Sequence, residues 1–167
     1  MYLLMAEKAT QLLRKYQVKE FPIPLDVIEH ILLSEGIDIQ IAKYLNRAVF
    51  CDNTIYIGQA LDNSCRREYL VHEAGHVYHA GNTALLDSFT MDKNEAQAQA
   101  FAAYFLMPIG VFEAHLARGE TDYALGEIFG VKQELVAYRK ELSKALAEGG
   151  CYNRQHIFFN YTYEQQF

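Results

Sequence analysis

The pentapeptide His72-Glu73-Ala74-Gly75-His76 narrows the choice of fold more than any other feature of the chain, because its chemistry requires a helix. Residues four apart lie on one helical face. Two imidazoles one turn apart can therefore converge on a single Zn²⁺ at ~2.0–2.1 Å, giving two of the three protein ligands of a hydrolytic site and leaving a fourth position for water. Glu73, beside His72, is then within reach of that water. A metal lowers the pKa of water from 15.7 toward about 7, so a carboxylate at hydrogen-bond distance can take its proton and deliver hydroxide to a peptide carbonyl. The competing reading is a chance pentapeptide on a solvated helix face. Context decides between them.

The motif falls within a helix expected over residues 65–80, capped by Asn63 or Ser64 and ended by Gly81. After a loop, Asp92 is expected to cap a second helix, rich in Ala96, Ala98, Ala100, Ala102 and Ala103, that runs to Pro108. Small side chains permit close packing of that helix on the first. Glu95 is then the candidate third ligand, set far enough beyond His76 for the chain to turn and lay one helix against the other. Glu95 also has a plain structural reading, because Asp92-x-x-Glu95 has the form of a capping box whose glutamate satisfies a backbone N–H. The rival ligand His79 lies about 10.5 Å along the axis from His72 at 1.5 Å per residue and cannot chelate the same ion, so it is assigned to packing or an outer hydrogen bond. Gln99, one turn beyond Glu95, is placed to accept a proton from a ligand imidazole, or else is an exposed polar residue. His30, His115 and His156 lack ligand spacing, and Arg66 and Arg67 read as solvated.

The remaining chain supplies a scaffold of one domain's length. Apolar residues from Tyr2 to Tyr16 recur at helical spacing, and a second helix is expected from Pro24 to Gly36. Ile37, Ile39 and Ile41 then alternate with polar residues, and residues 47–51 and 54–57 flank the turn pair Asp52-Asn53. These segments predict a small antiparallel sheet, with 54–57 at its edge and open to an extended peptide by strand addition. Beyond Pro108 come a short helix at 111–116 and two helices, 121–129 and 132–146, hinged at Gly130. The fold class expected is α+β: mostly helical, with a small antiparallel sheet beside the zinc-binding helix and a C-terminal helical hairpin. Residues 1–147 read as one domain, and 148–167 as an aromatic, polar tail without an assigned structure.

A net charge of −6 disfavours direct nucleic-acid binding, since it repels a phosphate backbone. No export signal opens the chain, and the longest apolar run, broken by Pro108 and Gly110, is shorter than the ~18 residues of a membrane span. A cytoplasmic protein without membrane partners is expected. Cys51, Cys65 and Cys151 are too widely spaced for a C-x-x-C site and read as reduced.

The segment Arg67-Glu68-Tyr69-Leu70-Val71-His72-Glu73-Ala74-Gly75-His76-Val77-Tyr78-His79, followed by Glu95-x-x-Ala98-x-x-Phe101-Ala102-Ala103-Tyr104-Phe105-Leu106-Met107-Pro108, resembles the ImmA/IrrE family of bacterial and phage metallopeptidases. The second segment is the more specific, being similar to the family's glutamate helix and its Leu-Met-Pro-like corner. The resemblance implies a zincin-like domain, carries the third-ligand role onto Glu95, and departs from the family at Gln99, where asparagine is usual. Members are often encoded beside a helix-turn-helix repressor that they inactivate by cleavage. It thus implies a protein substrate, and an anti-repressor of a phage or mobile element. A different function remains to be weighed, because residues 121–147 have the pattern of a helix-turn-helix. That pattern would suit a DNA-binding module or a regulator without proteolysis, though Glu134 and Glu141 offset Lys132, Arg139 and Lys140.

Overall fold

Met5, Ala6, Ala9, Leu12 and Leu13 share one side of the first helix, α1 (Leu3–Lys15), and are almost wholly buried there. The computed structural model in which they lie describes residues 3–78 and 88–148. Pro24 stands at the N-cap of α2 (Leu25–Ser34), where its missing N–H costs nothing. Gly36, at φ +84, turns the chain out of that helix. Ile28, Ile31 and Leu32 of α2 join the same core.

Three strands follow: β1 (Asp38–Ala42), β2 (Ala48–Cys51) and β3 (Thr54–Gly58). Asp52 and Asn53 both take positive φ, 47° and 58°, so a two-residue turn of the expected kind joins β2 to β3. The sheet corrects two expectations. It is mixed, not antiparallel, because β3 pairs antiparallel with β2 but parallel with β1. Its order is β1-β3-β2, so β3 is the central strand and both its edges are paired; strand addition at 54–57 is thereby excluded. Burial explains the order: Ile55 and Ile57 are both fully buried, which a strand achieves most completely between two neighbours, whereas β1 is largely exposed.

The second half is helical: α3 (Asn63–Val77), α4 (Ser88–Leu106), α5 (Ile109–Ala117), α6 (Asp122–Phe129) and α7 (Gln133–Glu148). The α+β, mostly helical class therefore holds. Pro108 ends α4 as expected and also stands at the N-cap of α5, which begins two residues before the expected Val111. Thr121 caps α6 by accepting the Ala124 N–H at 3.2 Å, and Gly130, at φ +62, ends it. One apolar cluster runs from α1 through the sheet to α7. No single described helix is long and apolar enough to cross a membrane.

The helix-turn-helix pattern has a structural explanation in Arg139. Its side chain is wholly buried, with the guanidinium 4.7 Å from the Tyr104 ring and 4.6 Å from that of Phe112, and Nε donating to the Met107 carbonyl at 3.0 Å. Lys140 pairs with Asp122. Two of the three cations that a recognition helix would present are thus engaged in contacts within the protein, Arg139 in its core and Lys140 at its surface. The tail 149–167, with Cys151 and His156, lies outside the described residues.

Candidate metal centre

The zinc helix of the sequence reading begins two residues earlier than expected, because the cap is Asp62: its carboxylate accepts the Cys65 N–H at 2.8 Å. Leu70, Val71, Ala74 and Gly75 form the buried face of α3. His72 and His76 occupy the neighbouring face, about a quarter and a fifth exposed. The helix stops at Val77 with Tyr78 as its cap; the expected terminator Gly81 and His79 lie outside the described residues. Arg66 and Arg67 are not idle solvated charges. Arg66 pairs with Glu29 at 3.2 Å, and Arg67 Nε donates to the Ile23 carbonyl at 2.9 Å, so both tie the start of α3 to α2 and its approach.

The partner helix α4 starts at Ser88, four residues before the expected cap. Asp92 therefore sits inside the helix, and the capping-box reading of Asp92 and Glu95 falls away, since Glu95 is no longer in the first turn. Ala98, Ala100, Ala102 and Ala103 are buried, and Ala98 rests directly on Gly75. That contact brings Glu95, one turn before Ala98, over the two histidines. Glu95 Oε2 lies 3.2 Å from His72 Nε2 and Oε1 lies 3.4 Å from His76 Nε2. The imidazole rings are edge to face with centroids 5.1 Å apart.

One donor atom from each of His72, His76 and Glu95 falls within 4.8 Å of the others. Adjacent donors around a tetrahedral ion at ~2.0–2.1 Å stand about 3.3–3.4 Å apart, which is close to the two histidine–glutamate separations. Two imidazoles and a carboxylate are also a donor set that zinc accepts. These residues fit a zinc ion. Burial pushes His76 below its ordinary value of 6.5 and so favours the neutral ring that a metal requires, while Glu95 acts the other way.

Glu73 points to the sheet side of the helix. Its Oε2 accepts the backbone N–H of Phe50, in β2, at 3.0 Å. Burial pushes its carboxyl above the ordinary value of 4.5, opposed by the His76 charge, the Phe50 N–H and the Arg47 guanidinium. All four predicted residues line one open cleft of about 1000 Å³, walled by β2, α3 and α4, with Leu135 of α7 at its border. Gln99 is exposed on the α4 wall, one turn past Glu95, and makes no hydrogen bond to either imidazole among the described residues. His30 packs edge-on to Tyr16 and His115 bonds Glu120 at 2.9 Å, so neither joins the site. Arg47 and the Phe50 N–H were missed from sequence, because their place in the cleft depends on how the sheet docks on α3.

A family model, peptidase M78 or IrrE N-terminal-like domain, matches residues 25–141, well over half of the chain. No curated protein matches it. Among solved structures the chain is similar to a Mycobacterium tuberculosis transcriptional regulator, with a TM-score of 0.68 and 18% identity over 81% of this chain and 45% of that one. This chain thus spans less than half of that protein's length, and the likeness at this identity is one of fold.

Proposed function

This chain belongs to the IrrE N-terminal-like family of M78 peptidases, and we propose that it is a zinc-dependent endopeptidase whose substrate is a helix-turn-helix transcriptional repressor, which would make it an anti-repressor of a phage or mobile element. The observation that supports this most is the convergence of His72, His76 and Glu95 within 4.8 Å, beside Glu73 in a cleft large enough for a peptide. In this reading His72, His76 and Glu95 hold one Zn²⁺ and Glu73 is the general base. Zinc bound there supplies Lewis acidity, acidifying water and polarising a carbonyl.

The chain's own groups do the rest. Glu73 takes a proton from the attacking water and returns it to the leaving amine. Burial raises its proton affinity and so suits it to both steps, while the Phe50 N–H fixes which oxygen is free to act. The side chain of Glu73 departs from the helix about 100° round from that of His72, so base and ligand do not compete for one place. Residues 1–147 act as the catalytic domain, and the cytoplasm is where such a protein would meet a repressor. The repressor itself comes from the family resemblance alone.

The test pairs wild type with Glu73→Gln, nearly isosteric, against the cognate helix-turn-helix repressor once it is identified. Zinc content and repressor binding should be equal in the two proteins, while fragment formation falls by ~10²- to 10⁴-fold in the variant. Equal cleavage by both would refute the assigned base. Relief of repression without cleavage by either would favour a regulator that acts by binding.

A further inference from the structure

We propose that Arg47 is the group that stabilises the oxyanion formed when a peptide carbonyl is attacked in this cleft. This rests on the peptidase reading and adds a protein hydrogen-bond donor to the carbonyl oxygen that the metal would polarise. Among the described residues that line the cleft, Arg47 alone is a lysine or arginine; the other charged side chains there, Glu68, Glu73 and Glu95, are acids. No ion pair among the described residues uses its guanidinium.

The backbone at Arg47 is anchored. Its carbonyl accepts the Gly58 N–H at 3.0 Å, and the preceding loop is seated on Gly58 so closely that a Cβ there would stand 2.2 Å from the Leu45 carbonyl oxygen. The bare glycine at the end of β3 is therefore what allows Arg47 to sit where the loop leads into β2 at the cleft wall. The cleft offers neutral rivals in Tyr69, Asn94 and Gln99. Tyr69 is half-buried on α3 and packed on the core. A full negative charge is met best by a permanent cation, and the guanidinium presents several N–H donors in a rigid fork.

In the addition step the water oxygen bonds to the carbonyl carbon while its proton passes to Glu73, and the π pair moves onto the carbonyl oxygen. Arg47 donates N–H hydrogen bonds to that oxygen. On collapse the pair returns, the C–N bond breaks, and Glu73 gives its proton to the leaving nitrogen. The net change is water added across the peptide bond.

The test measures binding, so it needs no cognate substrate. Zinc-reconstituted wild type, Arg47→Ala and Arg47→Lys are titrated calorimetrically with two probes, and zinc content is assayed alongside. One probe is a phosphinic peptide with alanine on either side of phosphorus, whose tetrahedral anionic centre imitates the addition product. The other is acetohydroxamate, which chelates metal without a tetrahedral centre. Arg47→Ala should bind the phosphinic peptide on the order of 10²-fold more weakly, the scale of one lost oxyanion donor, with part of the loss recovered by Arg47→Lys. Acetohydroxamate affinity and zinc content should not change. Equal phosphinic affinity in wild type and Arg47→Ala would overturn the proposal, as would equal weakening of both probes, which would mark Arg47 as a general attractor of anions. A zinc-loaded wild type that binds neither probe would bring down the peptidase reading itself, a failure recognisable before any substitution is made.

Discussion

Gly75 of α3 lies so close to Ala98 of α4 that a Cβ on residue 75 would stand 2.8 Å from the Ala98 Cα and 3.1 Å from its carbonyl oxygen. This helix contact sets the height of Glu95 above His72 and His76. The glycine inside the His-x-x-x-His segment thus has a reason of its own: it lets the glutamate helix approach.

Gly75→Ala should therefore destabilise the protein and weaken the candidate metal site together. Replacing glycine by alanine inside a helix ordinarily gains about 1 kcal/mol. Here the obstructing atoms are backbone and cannot rotate aside, and overpacking of this kind costs about 1–3 kcal/mol. The second effect wins. Thermal melting should show a lower Tm, and a chelator competition should show zinc affinity reduced by about tenfold, equivalent to about 1.4 kcal/mol.

Asp62→Ala removes the cap of α3 and should cost about 1 kcal/mol in denaturant unfolding. The Cys65 backbone N–H, donating to Asp62, is the main cause holding its carboxyl below the ordinary value of 3.8. A carboxyl whose pKa is depressed on folding stabilises above its unfolded value and loses that contribution as pH falls through the folded one. The stability gap between wild type and variant should stay constant at neutral pH and shrink below 3.8.

Arg139→Ala should be the most damaging of these changes to the fold, at about 3–5 kcal/mol, because it strips a buried cation from its partners and leaves the Met107 carbonyl without its donor. Chemical denaturation checks it. Arg139→Met, which keeps apolar volume between Tyr104 and Phe112, should cost less. Because this side chain faces inward, neither change should reveal or abolish any affinity for duplex DNA.

Much of this was legible in the sequence because the signals were local. Helical periodicity exposed α1, Pro24 marked the start of α2, Pro108 marked the end of α4, and Asp52-Asn53 marked the hairpin. What escaped depended on contacts between distant segments. Ile39 and Ile41 alternate just as Ile55 and Ile57 do, so the pattern alone could not say which strand lies in the middle or that β1 runs parallel to β3. The start of α4 was misjudged because Asp92 has the chemistry of a cap, whereas the helix begins a turn earlier at Ser88. Arg139 continues the spacing of Leu135, Val136 and Leu142, the buried stripe of α7, which is the local signal of its burial.

The measurement that bears most directly on the account is metal content after reconstitution with zinc and removal of the excess. Wild type should hold one zinc per chain, His72→Ala, His76→Ala and Glu95→Ala should each hold far less, and Asp92→Ala, three residues from the ligand on the same helix, should match wild type. A wild type without stoichiometric zinc, or a His72→Ala protein that binds it equally well, would contradict the metal centre on which the proposed peptidase depends.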